Sequence, residues 1–165
     1  MIFRSKNITE SELQQVNLLN EIIVQYLVPE FTELVLVEEK VVPHSHPILT
    51  LNTRSKDKLD ILKTLVHEQF HWYASNHPKY NECISLLKMR YIDDGEHNRS
   101  GRNPNSYWEH IIVCFNTRNY LERILTKEEV SYVYSLWQPY STLEQSIAAN
   151  YGEYKKFLES FEIIY

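Results

Sequence analysis

Glycine is scarce in this chain: three residues in 165. With six prolines, that scarcity argues against a protein of many tight turns and for one built mainly of helices. Cysteine is scarcer still. Cys83 and Cys114 form neither a disulfide framework nor a CxxC pair, and both fall in apolar helical patterns, so they read as buried thiols. No stretch approaches eighteen consecutive apolar residues, which excludes a spanning helix in the sequence as read. The first residues, Met1-Ile2-Phe3-Arg4-Ser5-Lys6, lack the apolar run of a secretory signal. No long basic run occurs and the formal charge is −5, so neither nucleic acid nor an anionic membrane is expected as a partner. A cytoplasmic protein is expected from these absences.

What is present is aromatic: twelve tyrosines, six phenylalanines and three tryptophans. The apolar fraction of 43% in a chain of this length fits a single domain, 1–165, with a real core. Periodicity predicts helices over 9–27, 57–76, 78–91, 106–125, 127–137 and 142–161. Strands are expected at 31–42 and 48–53, the second of them an edge because Pro43 and Pro47 precede it. The expected fold class is therefore α+β: mostly helical, with a small edge-stranded sheet lying on helices. The polar stretch 93–105, which carries two of the glycines, is expected to be a long loop.

One stretch carries chemistry. Residues 64–73 read Thr-Leu-Val-His-Glu-Gln-Phe-His-Trp-Tyr and contain His67-Glu68-Gln69-Phe70-His71, an H-E-x-x-H. Neither proline nor glycine interrupts 57–76, Ser55 or Asp57 is placed to cap the start, and Asn76-His77-Pro78 stops it. On a helix, His67 and His71 project from one face a single turn apart, and their ring nitrogens can converge on one ion. Glu68 lies about 100° round the axis, within reach of a water on that ion without being a ligand. Two neutral imidazoles holding Zn²⁺, with a carboxylate to take a proton from the bound water, is the arrangement metal-assisted hydrolysis needs. Leu65, Val66, Phe70, Trp72 and Tyr73 supply uncharged flanks, and a dry shell strengthens the polarising effect of a cation.

This stretch resembles the active-site helix of the zincin metallopeptidases, and the order helix, short sheet, metal helix, further helices is similar to theirs. The resemblance implies zinc held by His67 and His71, Glu68 as general base and acid, and a peptide or protein substrate beside an edge strand. It also implies a third ligand from elsewhere in the chain. His110 leads, one turn into an apolar helix, where the family pattern of a second helix completing the site would place it. Glu109 is the carry-over from the gluzincin branch and alternatively an acceptor for a ligand histidine. His77 has the metzincin spacing, but Ala74 stands where that branch has glycine. Glu82 and His97 are weaker candidates. His46 of the His44–His46 segment, Tyr132 and Tyr134 are more distant candidates for stabilising a transition-state oxygen. The leading expectation is a small peptidase-like zinc hydrolase. A zinc amidohydrolase of small molecules and a zincin-like binding module without activity are the alternatives.

Overall fold

Residues 1–91, 105–136 and 140–165 are described by the computed structural model. Its sheet has three parallel strands in the order β1-β2-β3: β1 (Ile2–Ser5), β2 (Leu34–Val37) and β3 (Leu49–Leu51). Ile2 stands opposite Leu34 and Val35 opposite Leu49. Val35, Val37, Leu49 and Leu51 share one face of the sheet and are all buried, the face packed into the core. β1 carries no alternation long enough to announce a strand. It forms because β2 offers an open edge, and Lys6 N–H extends the pairing to the Val37 carbonyl at 3.0 Å. The expected strand over 31–42 contracts to four residues. Beyond it the chain turns at Lys40, whose φ of 61° is left-handed.

Seven helices are seen among the described residues: α1 (Glu10–Gln25), α2 (Lys58–Asn76), α3 (Tyr80–Arg90), α4 (Ser106–Ile124), α5 (Lys127–Ser135), α6 (Ser141–Ala149) and α7 (Tyr151–Glu159). The protein is thus α+β and mostly helical. α1 and α2 pack on the sheet and on each other. α4 packs along α2, and α3, α5, α6 and α7 surround it. This central place explains α4's composition: Ile111 to Thr117, Tyr120 and Leu121 are all buried, so the helix is apolar nearly all round. The single helix expected over 142–161 is instead two, broken at Asn150. That residue's φ of −118° and ψ of 28° leave the helical region, while its N–H still closes on the Ser146 carbonyl. Most of the expected loop 93–105 lies outside the described residues, as do Trp137 and Pro139 at the expected end of α5.

α1 also departs from its pattern. The expected apolar stripe is Leu13, Val16, Leu19, Ile22, Ile23 and Tyr26; Leu19 and Ile22 are fully buried, yet Leu13 is 45% exposed while Glu12 and Gln15 are buried. Glu12 turns the helix this way. Its carboxylate accepts from Ser5 Oγ (2.7 Å), Asn7 N–H (2.7 Å), Asn7 Nδ2 (2.9 Å) and Glu39 N–H (3.1 Å), tying β1 and the end of β2 to α1. These donors hold its pKa at about 2, against the penalty of burial. Gln69 of α2 does similar work: its Oε1 accepts from the N–H groups of Phe31 (2.8 Å) and Thr32 (3.1 Å), fixing α2 against the segment before β2.

Candidate metal centre

α2 begins where Asp57 caps it, accepting from the Leu59 and Asp60 N–H groups at 2.8 and 3.0 Å. Nineteen helical residues then run unbroken to Asn76. Leu62, Leu65, Val66 and Phe70 bury one side in the core, which turns His67, Glu68 and His71 to the neighbouring side. The first turn of α4 arrives there and delivers Glu109 and His110, both buried.

The structure brings His67, His71 and His110 together, one nitrogen of each lying within 4.8 Å of the others. Ring centroids are 5.1 Å apart for His67 and His71, 5.5 Å for His67 and His110, and 4.8 Å for His71 and His110. His71 Nδ1 is 3.0 Å from Glu109 Oε1, and His110 Nδ1 is 2.6 Å from the Ser106 carbonyl oxygen. Neither oxygen can donate, so each Nδ1 carries the proton. In the neutral ring Nε2 is then the lone-pair nitrogen. Metal-binding histidines are oriented in this way. Zinc–nitrogen bonds of about 2.0–2.1 Å at tetrahedral angles place ligand nitrogens roughly 3.4 Å apart, a spacing small side-chain rotations would reach from here. The donor set fits a borderline cation. His67, His71 and His110 can hold a metal ion.

Burial pushes His67 well below the ordinary histidine pKa, helped by His71, His110 and Lys63, so it is a neutral ring. Burial also pulls on His71, but the Glu109 hydrogen bond and the charges of Glu68 and Glu109 outweigh it and raise its pKa. Glu109 is drawn upward by burial and more strongly downward by His71, and remains a carboxylate. Glu68 is 7% exposed, and its pKa is raised by burial, with His71 and His44 opposing. Cys83 and Cys114 are buried, which pushes the Cys83 thiol up to about 12 and Cys114 well above its usual range; neither offers a thiolate.

The cluster opens on a cavity of about 740 Å³, lined by Glu68 and all of the triad, by Tyr140 and Glu144 of the α6 region, and by residues from α1 and the segments flanking β3. Tyr140 stacks on His110 with centroids 3.9 Å apart. Burial raises the Tyr140 hydroxyl's pKa, with Cys114, Glu68 and Glu109 adding to it, so the hydroxyl remains a donor. His44 also lines the cavity, and its backbone pairs with Thr50 in both directions, at 3.0 and 2.8 Å. The outward groups of Thr50 on the β3 edge are therefore already occupied, which blocks strand pairing at that residue by an extended peptide.

Other candidates lie apart. His77 caps the end of α2, where its Nδ1 accepts from Lys79 N–H at 3.3 Å. Glu82 is exposed on α3, and His97 lies outside the described residues. His46 stacks on Trp72 at 4.3 Å and does not line the cavity. Tyr132 donates to Asp57 Oδ2 at 2.7 Å, and Tyr134 lies beneath Lys63 and Arg118. Sequence reading passed over Tyr140, which no motif marks. It also passed over Lys63, which its spacing of four before His67 could have revealed. No protein-family model, curated protein or solved structure matches the chain, so the geometry of the site alone carries its chemistry.

Proposed function

We propose that the protein is a zinc-dependent hydrolase of amide bonds, peptidase-like, using its H-E-x-x-H helix as zincins do. The observation that carries this reading is the meeting of three buried imidazoles, two with their Nδ1 protons already engaged, in one cavity with Glu68. Zinc bound there supplies a Lewis acid and a water acidified toward neutral pH. His71 and His110, their Nδ1 atoms engaged by Glu109 and by the Ser106 carbonyl, would hold it together with His67. Glu68, with its raised proton affinity, takes a proton from the attacking water and delivers it to the leaving amine. Tyr140, which lines the same cavity and keeps its hydroxyl proton, would donate to oxygen as negative charge develops there.

The substrate enters the cavity instead of extending the sheet at Thr50, whose edge His44 covers. That same cover favours a second reading, hydrolysis of a small-molecule amide at the same centre. Metal analysis of the purified protein beside a Glu68→Gln variant tests the proposal. About one zinc per chain is expected in both, with cleavage of a fluorogenic peptide library by the parent alone. A parent that purifies and reconstitutes without zinc refutes it. Zinc in both proteins, with no hydrolysis of peptides or small amides by either, makes the site a binding module.

A further inference from the structure

α1 contributes one described side chain to the cavity wall, Gln15. It is 2% exposed, and its Oε1 has no hydrogen-bond partner. Buried polar groups in folded proteins are nearly always paired, and leaving one unpaired costs as much as an ordinary hydrogen bond contributes, or more. Nothing in the packing of α1 requires an amide here, since the next buried positions of the same face are Leu19 and Ile22. The cavity that Gln15 lines is where a partner for this amide can come from.

The neighbouring wall narrows what that group is. Lys63 is buried and directs its ammonium at both oxygens of Glu144, at 2.8 and 3.0 Å, with the Tyr134 ring 4.3 Å away. The pair is closed on itself and offers no spare charge to a ligand. A carboxamide can turn about its last torsion to present either its oxygen or its NH₂. A peptide group carries the complementary donor and acceptor. The cavity is long enough: its wall on α2 runs from Asp60 to His71, about 16 Å at the helical rise. That length accommodates four or five extended residues at about 3.3 Å each.

We propose that Gln15 is a specificity-determining residue, reading an uncharged amide group of the substrate at the part of the cavity lined by α1. The assignment rests on the cavity being the substrate site and deepens that reading: it names a backbone or side-chain amide, distinct from the bond cleaved, as what is recognised.

The test uses the full chain, labelled with ¹⁵N, and acetyl-triglycine amide as probe. The Gln15 carboxamide signals are assigned by their loss in Gln15→Met. Titration with the probe is expected to move them saturably, in metal-free and in zinc-loaded protein alike. The analogue with methylated peptide nitrogens is expected to bind at least about tenfold more weakly, as is the probe to Gln15→Met. Without ligand, Gln15→Met is expected to melt at or above the parent temperature, because it removes an unpaired buried amide. Gln15 signals that stay still at tens of millimolar probe overturn the proposal, as does equal affinity of parent and Gln15→Met. A clear fall in the melting temperature of Gln15→Met also overturns it, since the amide would then be satisfied inside the fold. Imidazole signals of His67, His71 and His110 that ignore added zinc defeat the hydrolase reading separately, and the metal-free titration still decides the role of Gln15.

Discussion

Glu109 is the residue whose replacement most sharply tests the proposed centre, because it touches one ligand and leaves the donor set intact. Its carboxylate accepts from His71 Nδ1 at 3.0 Å, in a place where it is 8% exposed and screening is weak. Glu109→Gln keeps an acceptor oxygen of the same reach and removes the charge that makes the imidazole more basic. Outer partners of this kind change metal affinity by about 10- to 100-fold, or about 1.4–2.7 kcal/mol. At free zinc of about a thousand times Kd, binding stabilises the fold by about 4.1 kcal/mol. A 30-fold weaker site at the same zinc concentration retains about 2 kcal/mol. At about 2–4 °C per kcal/mol for a chain of this size, the zinc-loaded variant melts about 4–8 °C below the zinc-loaded parent. Competition against a chromophoric chelator measures the affinity, and calorimetry with and without zinc measures the shift. His110→Ala in parallel removes a ligand and is expected to lose more. Parental zinc affinity in Glu109→Gln would mean that the His71–Glu109 pair is a structural contact and that the centre is not organised as argued.

Three further outcomes follow from the fold. Ile8 is 76% exposed with φ at 58°, where a β-branched side chain is strained, so Ile8→Gly is expected to gain about 1 kcal/mol despite its freer unfolded state; a chemical melt reads this, and a loss contradicts the strain. Lys63 and Glu144 are paired away from water, so Glu144→Ala is expected to cost about 3–5 kcal/mol in urea unfolding by stranding the ammonium, while Lys63→Met with Glu144→Leu recovers most of it; a double variant no better than the single would refute the stranded-charge account. The Glu12 pKa, lowered from 4.5 to about 2, makes its stabilisation fully present above about pH 4.5 and lost as pH falls toward 2. Discounted for solvent screening, it is worth about 2 kcal/mol at neutral pH. Glu12→Gln should therefore be less stable than the parent at pH 7 and equal to it near pH 2, and a gap that is constant with pH would show that the carboxylate's charge is not what matters.

The helix that bears the motif was legible in the sequence because everything that makes it is local. The Asp57 cap, the unbroken run to Asn76 and the apolar steps of three and four fix both its length and the side on which His67 and His71 stand together. The mostly helical α+β character followed from the same short-range signals. Other features depended on residues far apart. His110 meets His71 across 39 positions, and α4 is apolar almost all round, so its periodicity gave no direction in which Glu109 and His110 had to face. Only packing along α2 chose that face, and with it the role of Glu109 as acceptor for His71. β1 exists because β2 had an edge to offer, and His44 covers Thr50 through a backbone pairing that no side-chain pattern encodes. The inward turn of Glu12 and Gln15 was hidden for a related reason. A hydrophobic stripe assumes that burial follows apolarity, whereas the backbone N–H groups of Asn7 and Glu39 needed an acceptor and drew a carboxylate into the interior. The sequence by itself determined that His67, Glu68 and His71 stand together on one side of α2. The tertiary structure decided which partners, 30 to 80 residues away, complete the site, because long-range hydrogen bonds and helix faces are settled only when the elements meet.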